Sequence, residues 1–168
     1  MNCILRTWRM EDATDLAIAL NNKKIQDNLR DGQPYPYTRK DAEEFIEAML
    51  SVNPEKTYAF AIVSEEKVVG SIGVFRRDNI HSRTAEMGYF IAEPCWGKGI
   101  GTSAVRQICT YIFENTDIIR IFAEPFSNNP GSCRILEKAG FQMEGLLRKN
   151  AVKNNKILDM KMYALVKE

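Results

Sequence analysis

The chain has 168 residues, 45% of them hydrophobic and 27% charged, the make-up of a folded globular protein that needs neither metal nor disulfide to hold its core. With 23 basic and 22 acidic residues the net charge is +1, so no broad positive field exists to grip nucleic acid, and no apolar run approaches the ~18 residues of a membrane span. The stretch MNCILRTWRMEDATDL lacks the apolar core of a signal peptide, and Cys3, Cys95, Cys109 and Cys133 form no CxxC pair, which together imply a cytoplasmic protein with reduced thiols. The single histidine, His81, falls in the polar segment RRDNIHSRT, where a solvated loop position is expected, and it argues against a histidine-rich metal site.

No repeat, low-complexity tract or linker interrupts the chain, so one domain over residues 1–168 is expected. ILRTW reads as a first strand. EDATDLAIALNN places Ala13, Leu16, Ala17 and Leu20 at helical spacing. Residues 21–37 show no clear period, and DGQPYPY is too rich in turn formers to be regular helix. Thr38, with Asp41 three positions on, is a variant capping box that opens a helix in TRKDAEEFIEAML. TYAFAIV and KVVGSIGVF flank the charged turn SEEK as a hairpin, and RTAEMGYFIAE is a further strand ended by Pro94. Beyond WGKGIG, Val105, Ile108, Cys109 and Ile112 repeat at helical spacing as far as ENTD, and IIRIFAEP is again a strand. Asn129 and Pro130 suit the cap and first residue of a helix, and Gly140 suits its end. Within PGSCRILEKA the inward stripe is Ser132, Ile135, Leu136 and Ala139, which leaves Cys133 off it. FQMEGLLRK and ILDMKMYALV close the chain as strands around KNN, and the whole order is mixed α/β.

WGKGIGTSAV places Gly97, Gly99 and Gly101 within five positions at a strand-to-helix junction. Glycine weakens a structure unless the backbone needs its freedom. The first turn of a helix carries N–H groups with no partner inside the helix, at the positive end of its dipole, and glycines let an oxyanion reach them. Thr102 and Ser103 open that helix and Lys98 adds a cation, so the segment fits a phosphate cradle; the plain alternative is a connector that turns the chain. Gly99 to Ala104 also matches the dinucleotide fingerprint GxGxxA, with acidic Glu124 ending a later strand. Against that, Ala92 to Trp96 separate the glycines from their strand, and too few elements follow Glu124 for a doubly wound sheet. No GxxxxGK[ST] occurs, which excludes a P-loop.

AEMGYFIAEPCWGKGIGTSAV, followed further on by SNNPGSCRILEKAGFQMEGLLR, resembles the GNAT superfamily of N-acetyltransferases, and within it the RimJ/RimL-like ribosomal-protein N-terminal acetyltransferases. The likeness runs from ILRTW to LDMKMYAL. It implies an α/β (α+β) fold, with a mixed, largely antiparallel sheet of about seven strands splayed in the middle and about four helices. It implies acetyl-CoA as co-substrate, bound in the wedge without any metal. The pyrophosphate would lie on the amides of Lys98, Gly99, Ile100, Gly101 and Thr102, beside Trp96 and Gly97. The pantetheine arm would pair with the strand edge at Tyr89, Phe90 and Ile91, with Asn129 and Ser132 alongside. Trp96 stands where the wider family carries Arg or Gln, a feature common in this branch. The acceptor would be a primary amine, on a peptide N-terminus or a small molecule, and the enzyme a monomer or homodimer.

Acetyl transfer needs a neutral amine, donors for the oxyanion and help for the departing thiolate. Glu86, between apolar Ala85 and Met87, is the candidate base, since apolar surroundings would raise its proton affinity; the alternative is a glutamate paired with an arginine such as Arg83. Asp159, in the apolar strand ILDMKMYAL, is a second candidate, or else a structural aspartate. N–H groups of residues 89–92 are the expected oxyanion donors. Leu136 stands where many relatives carry an acid tyrosine, so the role passes to Ser132, as a donor to the sulfur or else as a plain helix-end serine. Ala151 replaces a glutamate of the ribosomal-protein branch, which leaves the acceptor open. Residues 22–37 and the 150–156 turn would wall the acceptor pocket. There Tyr35 and Tyr37 pack on the acceptor or pin their loop, and Asp31 holds a cationic amine or is solvated. Beside the transferase stand two other readings: a non-catalytic acyl-CoA-binding module and a dinucleotide-dependent oxidoreductase.

Overall fold

A seven-stranded sheet, ordered β1-β2-β3-β4-β5-β7-β6, organises the computed structural model, which describes residues 2–168. The strands are β1 (Ile4–Arg6), β2 (Thr57–Ser64), β3 (Lys67–Arg76), β4 (Thr84–Ile91), β5 (Arg120–Ala123), β6 (Gln142–Lys153) and β7 (Lys156–Val166). The helices are α1 (Ala13–Leu20), α2 (Lys23–Gln26), α3 (Arg39–Leu50), α4 (Ile100–Asn115) and α5 (Pro130–Lys138). Every neighbouring pair is antiparallel except β4–β5. That single parallel pair rules out the doubly wound sheet a dinucleotide fingerprint requires. Among the described residues no helix is long and apolar enough to cross a membrane.

Strand alternation divides the apolar residues between two cores. Ala61 and Val63 of β2 join Trp8, Leu16, Ala42 and Ile46 under α1 and α3. Ile62 between them joins Val74, Ala85, Met87, Val105 and Ile108 on the opposite face, under α4 and α5. Local chemistry sets the ends of these elements. Thr38 Oγ1 accepts from the Asp41 N–H at 3.2 Å while Asp41 Oδ2 accepts from the Thr38 N–H at 2.8 Å, the expected capping box. Asn129 Oδ1 caps α5 by accepting from the Ser132 N–H at 3.3 Å. Gly140, at φ 96°, ends α5, with its N–H on the Glu137 carbonyl and that of Phe141 on the Leu136 carbonyl.

One open segment is assigned and one expectation needs correction. Residues 21–37 contain the short helix α2, capped by Asn22, whose Oδ1 accepts from Lys24 and Ile25. Cys133 is not off the inward stripe: it is 5% exposed, in the core with Leu136. The α5 helix has two inward faces, because Ser132 and Ile135 look into a cavity while Cys133 and Leu136 look into the sheet.

The feature that positions the site is the parting of β4 from β5. They pair only at Thr84↔Arg120, Ala85↔Ile121 and Glu86↔Phe122. β4 continues to Ile91, paired on its other side with β3 as far as Gly70↔Ile91, while β5 stops at Ala123. The main-chain groups of β4 beyond Glu86 that face β5 therefore border a wedge.

Candidate active site

A cavity of about 870 Å³ fills that wedge. Glu86, Phe90, Arg30 and Glu124 line it from one face of the sheet, and Tyr89, Asn129, Ser132 and Ile135 from the other. A smaller cavity of about 300 Å³ adjoins it, sharing Arg30, Glu124, Phe126 and Met160 and adding Asp31, Asn150, Ala151 and Lys153.

At the mouth, the glycine turn behaves as its composition requires. Gly97 (φ 74°) and Gly99 (φ 80°) are left-handed, a region that penalises any side chain. Gly99 caps α4, and the first main-chain bond into that helix runs from the Ser103 N–H to the Gly99 carbonyl. The N–H groups of Ile100, Gly101 and Thr102 form the first turn and sit at the positive end of a 16-residue helix. Lys98 lies between the two left-handed glycines. Gly101 lets α4 and α5 approach: a Cβ there would lie 2.6 Å from Ile135 Cδ1. The indole of Trp96 donates to the Ile91 carbonyl at 2.7 Å and ties the turn to the end of β4. Glu93 in the same turn accepts from Asn22 Nδ2 and Lys24 Nζ, both at 2.9 Å, and so holds the α2 region against the cavity mouth.

On the α5 side, the Tyr89 hydroxyl lies 2.7 Å from Ser132 Oγ and 3.3 Å from the Ser132 carbonyl. Burial pushes the Tyr89 phenol up to about 12, with the Ser132 bond pulling the other way and Cys133 adding a small upward push.

On the opposite face, Glu86 is held by arginines, but not by Arg83. Arg30 donates to both of its oxygens, at 3.3 Å and 2.5 Å, and Arg77 donates to Oε1 at 3.3 Å. Arg83 instead bonds the Asp117 carbonyl. The apolar flanks of Glu86 in sequence do not surround it in space, because Ala85 and Met87 point to the other face of the strand and into the core. Arg30 also reaches Glu124 at 3.6 Å, so one guanidinium spans two carboxylates. Nothing in the sequence around Arg30 or Arg77 points to this site, and Glu124 carries only the signal of an acidic residue at a strand end.

Twelve of the sequence candidates line the cavity: Glu86, Tyr89, Phe90, Ile91, Trp96, Gly97, Gly99, Ile100, Gly101, Thr102, Asn129 and Ser132. The three acceptor candidates lie elsewhere. Tyr37 is 3% exposed in the core under α1 and α3, its hydroxyl has no hydrogen-bond partner among the described residues, and burial pushes it up to about 12. Tyr35 is exposed beneath the Lys23 ammonium, 5.5 Å from the ring centroid. Asp31 pairs with Lys153 at 3.0 Å on the wall of the smaller cavity. Asp159 is not among the residues that line the cavity: its Oδ1 accepts from the Lys149 N–H at 2.7 Å, where β6 bulges with Lys149 at φ 53°.

A sheet opened between its one parallel pair, with a glycine-capped helix at the mouth, defines the GNAT class of fold. The acetyltransferase (GNAT) domain model matches residues 2–142, and the chain belongs to that family. It is 35% identical over 128 residues to the probable N-acetyltransferase YjcK of Bacillus subtilis, covering 76% of this chain and 70% of that protein. Two solved structures share the fold. RimL, a ribosomal L7/L12 alpha-N-protein acetyltransferase in complex with coenzyme A, has a TM-score of 0.88 at 20% identity, covering 99% of this chain and 95% of that one. Spermidine N-acetyltransferase from Vibrio cholerae, in complex with CoA and spermine, has a TM-score of 0.81 at 22% identity, covering 98% and 95%.

Proposed function

We propose that the protein transfers acetyl from acetyl-CoA to a primary amine, on a peptide N-terminus or a small amine, by direct attack within a ternary complex. The observation that carries the reading is the single cavity that joins a glycine-opened helix N-terminus to a carboxylate on the far face of the sheet. The solved relatives named above carry CoA, one with a protein acceptor in its name and one with a polyamine in its structure.

The donor enters from the α4/α5 side. Its pyrophosphate takes the amides that open α4, and its pantetheine arm runs along the free edge of β4 at Tyr89 to Ile91, past Asn129. The acceptor enters through the smaller cavity, past Arg30 and Ala151. Glu86 takes a proton from the ammonium, directly or through a water, and Arg30, on an exposed loop, swings aside as the amine arrives. The nitrogen lone pair forms the C–N bond, and N–H groups of β4 bond the oxyanion. The C–S bond then breaks, the thiolate leaves beside Ser132, and the second proton lost by nitrogen passes through water to that thiolate, giving a neutral amide and the free thiol of CoA.

The test is thiol release from acetyl-CoA with a panel of N-terminal peptides, polyamines and simple amines, next to calorimetric titration of acetyl-CoA and NAD. Turnover with at least one amine class and binding of acetyl-CoA alone are expected. Acetyl-CoA binding without turnover on any amine would leave a binding module, and NAD binding alone would end the proposal.

A further inference from the structure

We propose that Tyr89 is a positioning residue for Ser132: its hydroxyl sets which way the Ser132 hydrogen points, and it frees that hydrogen for the sulfur of CoA as the thioester breaks. The proposal rests on the acyl-CoA reading and adds a residue to it.

The geometry allows two arrangements of the same heavy atoms. The Tyr89 oxygen sits 2.7 Å from Ser132 Oγ and 3.3 Å from the Ser132 carbonyl, so its single hydrogen reaches either acceptor. In the first arrangement Ser132 donates to Tyr89 and Tyr89 donates to the carbonyl. In the second, Tyr89 donates to Oγ and the Ser132 hydrogen turns into the cavity that both residues line. Two O–H rotations convert one into the other, and no heavy atom moves. The carbonyl accepts but cannot donate, so the phenol is the one partner that can release the serine hydrogen without leaving Oγ empty-handed.

Charge chooses between them. With a neutral thioester in place, the first arrangement makes two neutral bonds and leaves the sulfur without a donor. As negative charge grows on sulfur, the second gains a charge-assisted bond, which is stronger than the neutral bond given up. The gain exists only as the transition state forms, so it raises kcat without tightening the ground state. Ser132 stays a hydrogen-bond donor throughout and need not ionise. Tyr89 is half-buried beside α5, and the Ser132 N–H is held by Asn129 Oδ1, so the strand and the helix cap bring the two hydroxyls together.

The test is a double-mutant cycle on the full chain, with steady-state kinetics on the best amine. Ser132→Ala is expected to lower kcat by about 10- to 100-fold, and Tyr89→Phe by about 10-fold, each with the KM for acetyl-CoA within about 3-fold of wild type. Tyr89→Phe on top of Ser132→Ala is expected to cost nothing further, because Tyr89 acts through the serine. A wild-type kcat in Tyr89→Phe, or losses that multiply in the double variant, would overturn the proposal while leaving acetyl transfer itself intact. Loss confined to the KM for acetyl-CoA would also overturn it, by making Tyr89 a wall of the cofactor site. If Tyr89→Phe does not fold, a fluorinated tyrosine at 89 keeps the shape and makes the hydroxyl a stronger donor. The kcat should then rise with Ser132 present and stay flat in Ser132→Ala, and a flat response in both would overturn the idea. A wild-type protein that neither binds acetyl-CoA nor acetylates any amine would instead remove the reading beneath it.

Discussion

Glu86 and Tyr89 stand three positions apart on β4 and face opposite sides of the sheet, yet both line the same cavity. In an unbroken sheet those two side chains would never share a space. They share one here because β5 leaves β4 just after Glu86 and opens the sheet from face to face. A donor on the Tyr89 side and an acceptor on the Glu86 side can therefore meet edge-on, between two strands.

The proposed mechanism gives the amine proton to Glu86. Glu86→Gln keeps the size and part of the bonding to Arg30 and Arg77 but removes the basic oxygen. A fall in kcat of about 10²–10⁴ is expected, with the KM for acetyl-CoA little changed. A pH–rate profile on the variant checks it; a rate equal to wild type across the profile would clear Glu86 of that role.

Gly99 tests the cradle. Its φ of 80° means that alanine would strain the backbone, in a turn that lines the cavity. Gly99→Ala is expected to cost about 1–2 kcal/mol of stability and at least about 10-fold in acetyl-CoA affinity, from the loss of roughly one charge-assisted N–H bond. Calorimetry and a thermal melt read the two effects separately. Unchanged affinity would mean the phosphates rest elsewhere.

The glycine motif, the Asn129–Pro130 start of α5 and the alternating strands were legible in the sequence because each is a local constraint, set by φ, by a cap or by a period of two. The Glu86 partners were not. Arg30 lies 56 positions away, in a segment without period, and nothing in a run of loop residues says which strand it will lean on. Tyr37 carried two readings in the sequence, acceptor contact or pinning its loop, and its place in the core fits the second. Its position in a Pro-rich loop gives no sign of what it packs against, and it covers the cluster of Trp8 and Ile46 under α1 and α3. Cys133 was misjudged because a helix next to a wedge has two buried faces, and one stripe cannot describe both.

Gly70 is a second, purely steric test of the wedge. A Cβ there would lie 2.3 Å from the Phe90 carbonyl oxygen and 3.3 Å from Ile91 Cα, both backbone atoms that cannot turn away. Gly70→Ala must push β3 and β4 apart at the stretch whose free edge faces the cavity. Roughly 2–3 kcal/mol of destabilisation is expected, or about 5–10 °C in Tm for a chain of this size, together with a raised KM for acetyl-CoA. Gly73→Ala is the control: its Cβ would meet only the Phe75 ring, at 2.9 Å, which can swing aside. Equal melting points for the two variants would contradict the steric argument.

Far from the cavity, Asp12 fixes the start of α1 and gives stability a defined acid limit. Its carboxylate accepts from Arg6 Nη1 and Nη2, both at 2.8 Å, and from the Arg9 N–H at 2.9 Å, with the side chain only 7% exposed. Burial alone would raise its proton affinity, but the Arg6 and Arg9 bonds outweigh burial and hold the carboxyl below its ordinary 3.8. A group depressed in the folded state adds stability above its unfolded value and loses that contribution as pH falls through the folded one. Asp12→Asn is therefore expected to cost about 2 kcal/mol near neutrality, with the gap to wild type closing below pH 3.8. Urea titrations of both proteins at pH 7 and pH 3 measure the gap, and kcat at 25 °C should not move, since Asp12 and Arg6 lie outside the residues that line the cavity. A gap that persists unchanged at pH 3 would mean the bonds hold equally well without the charge.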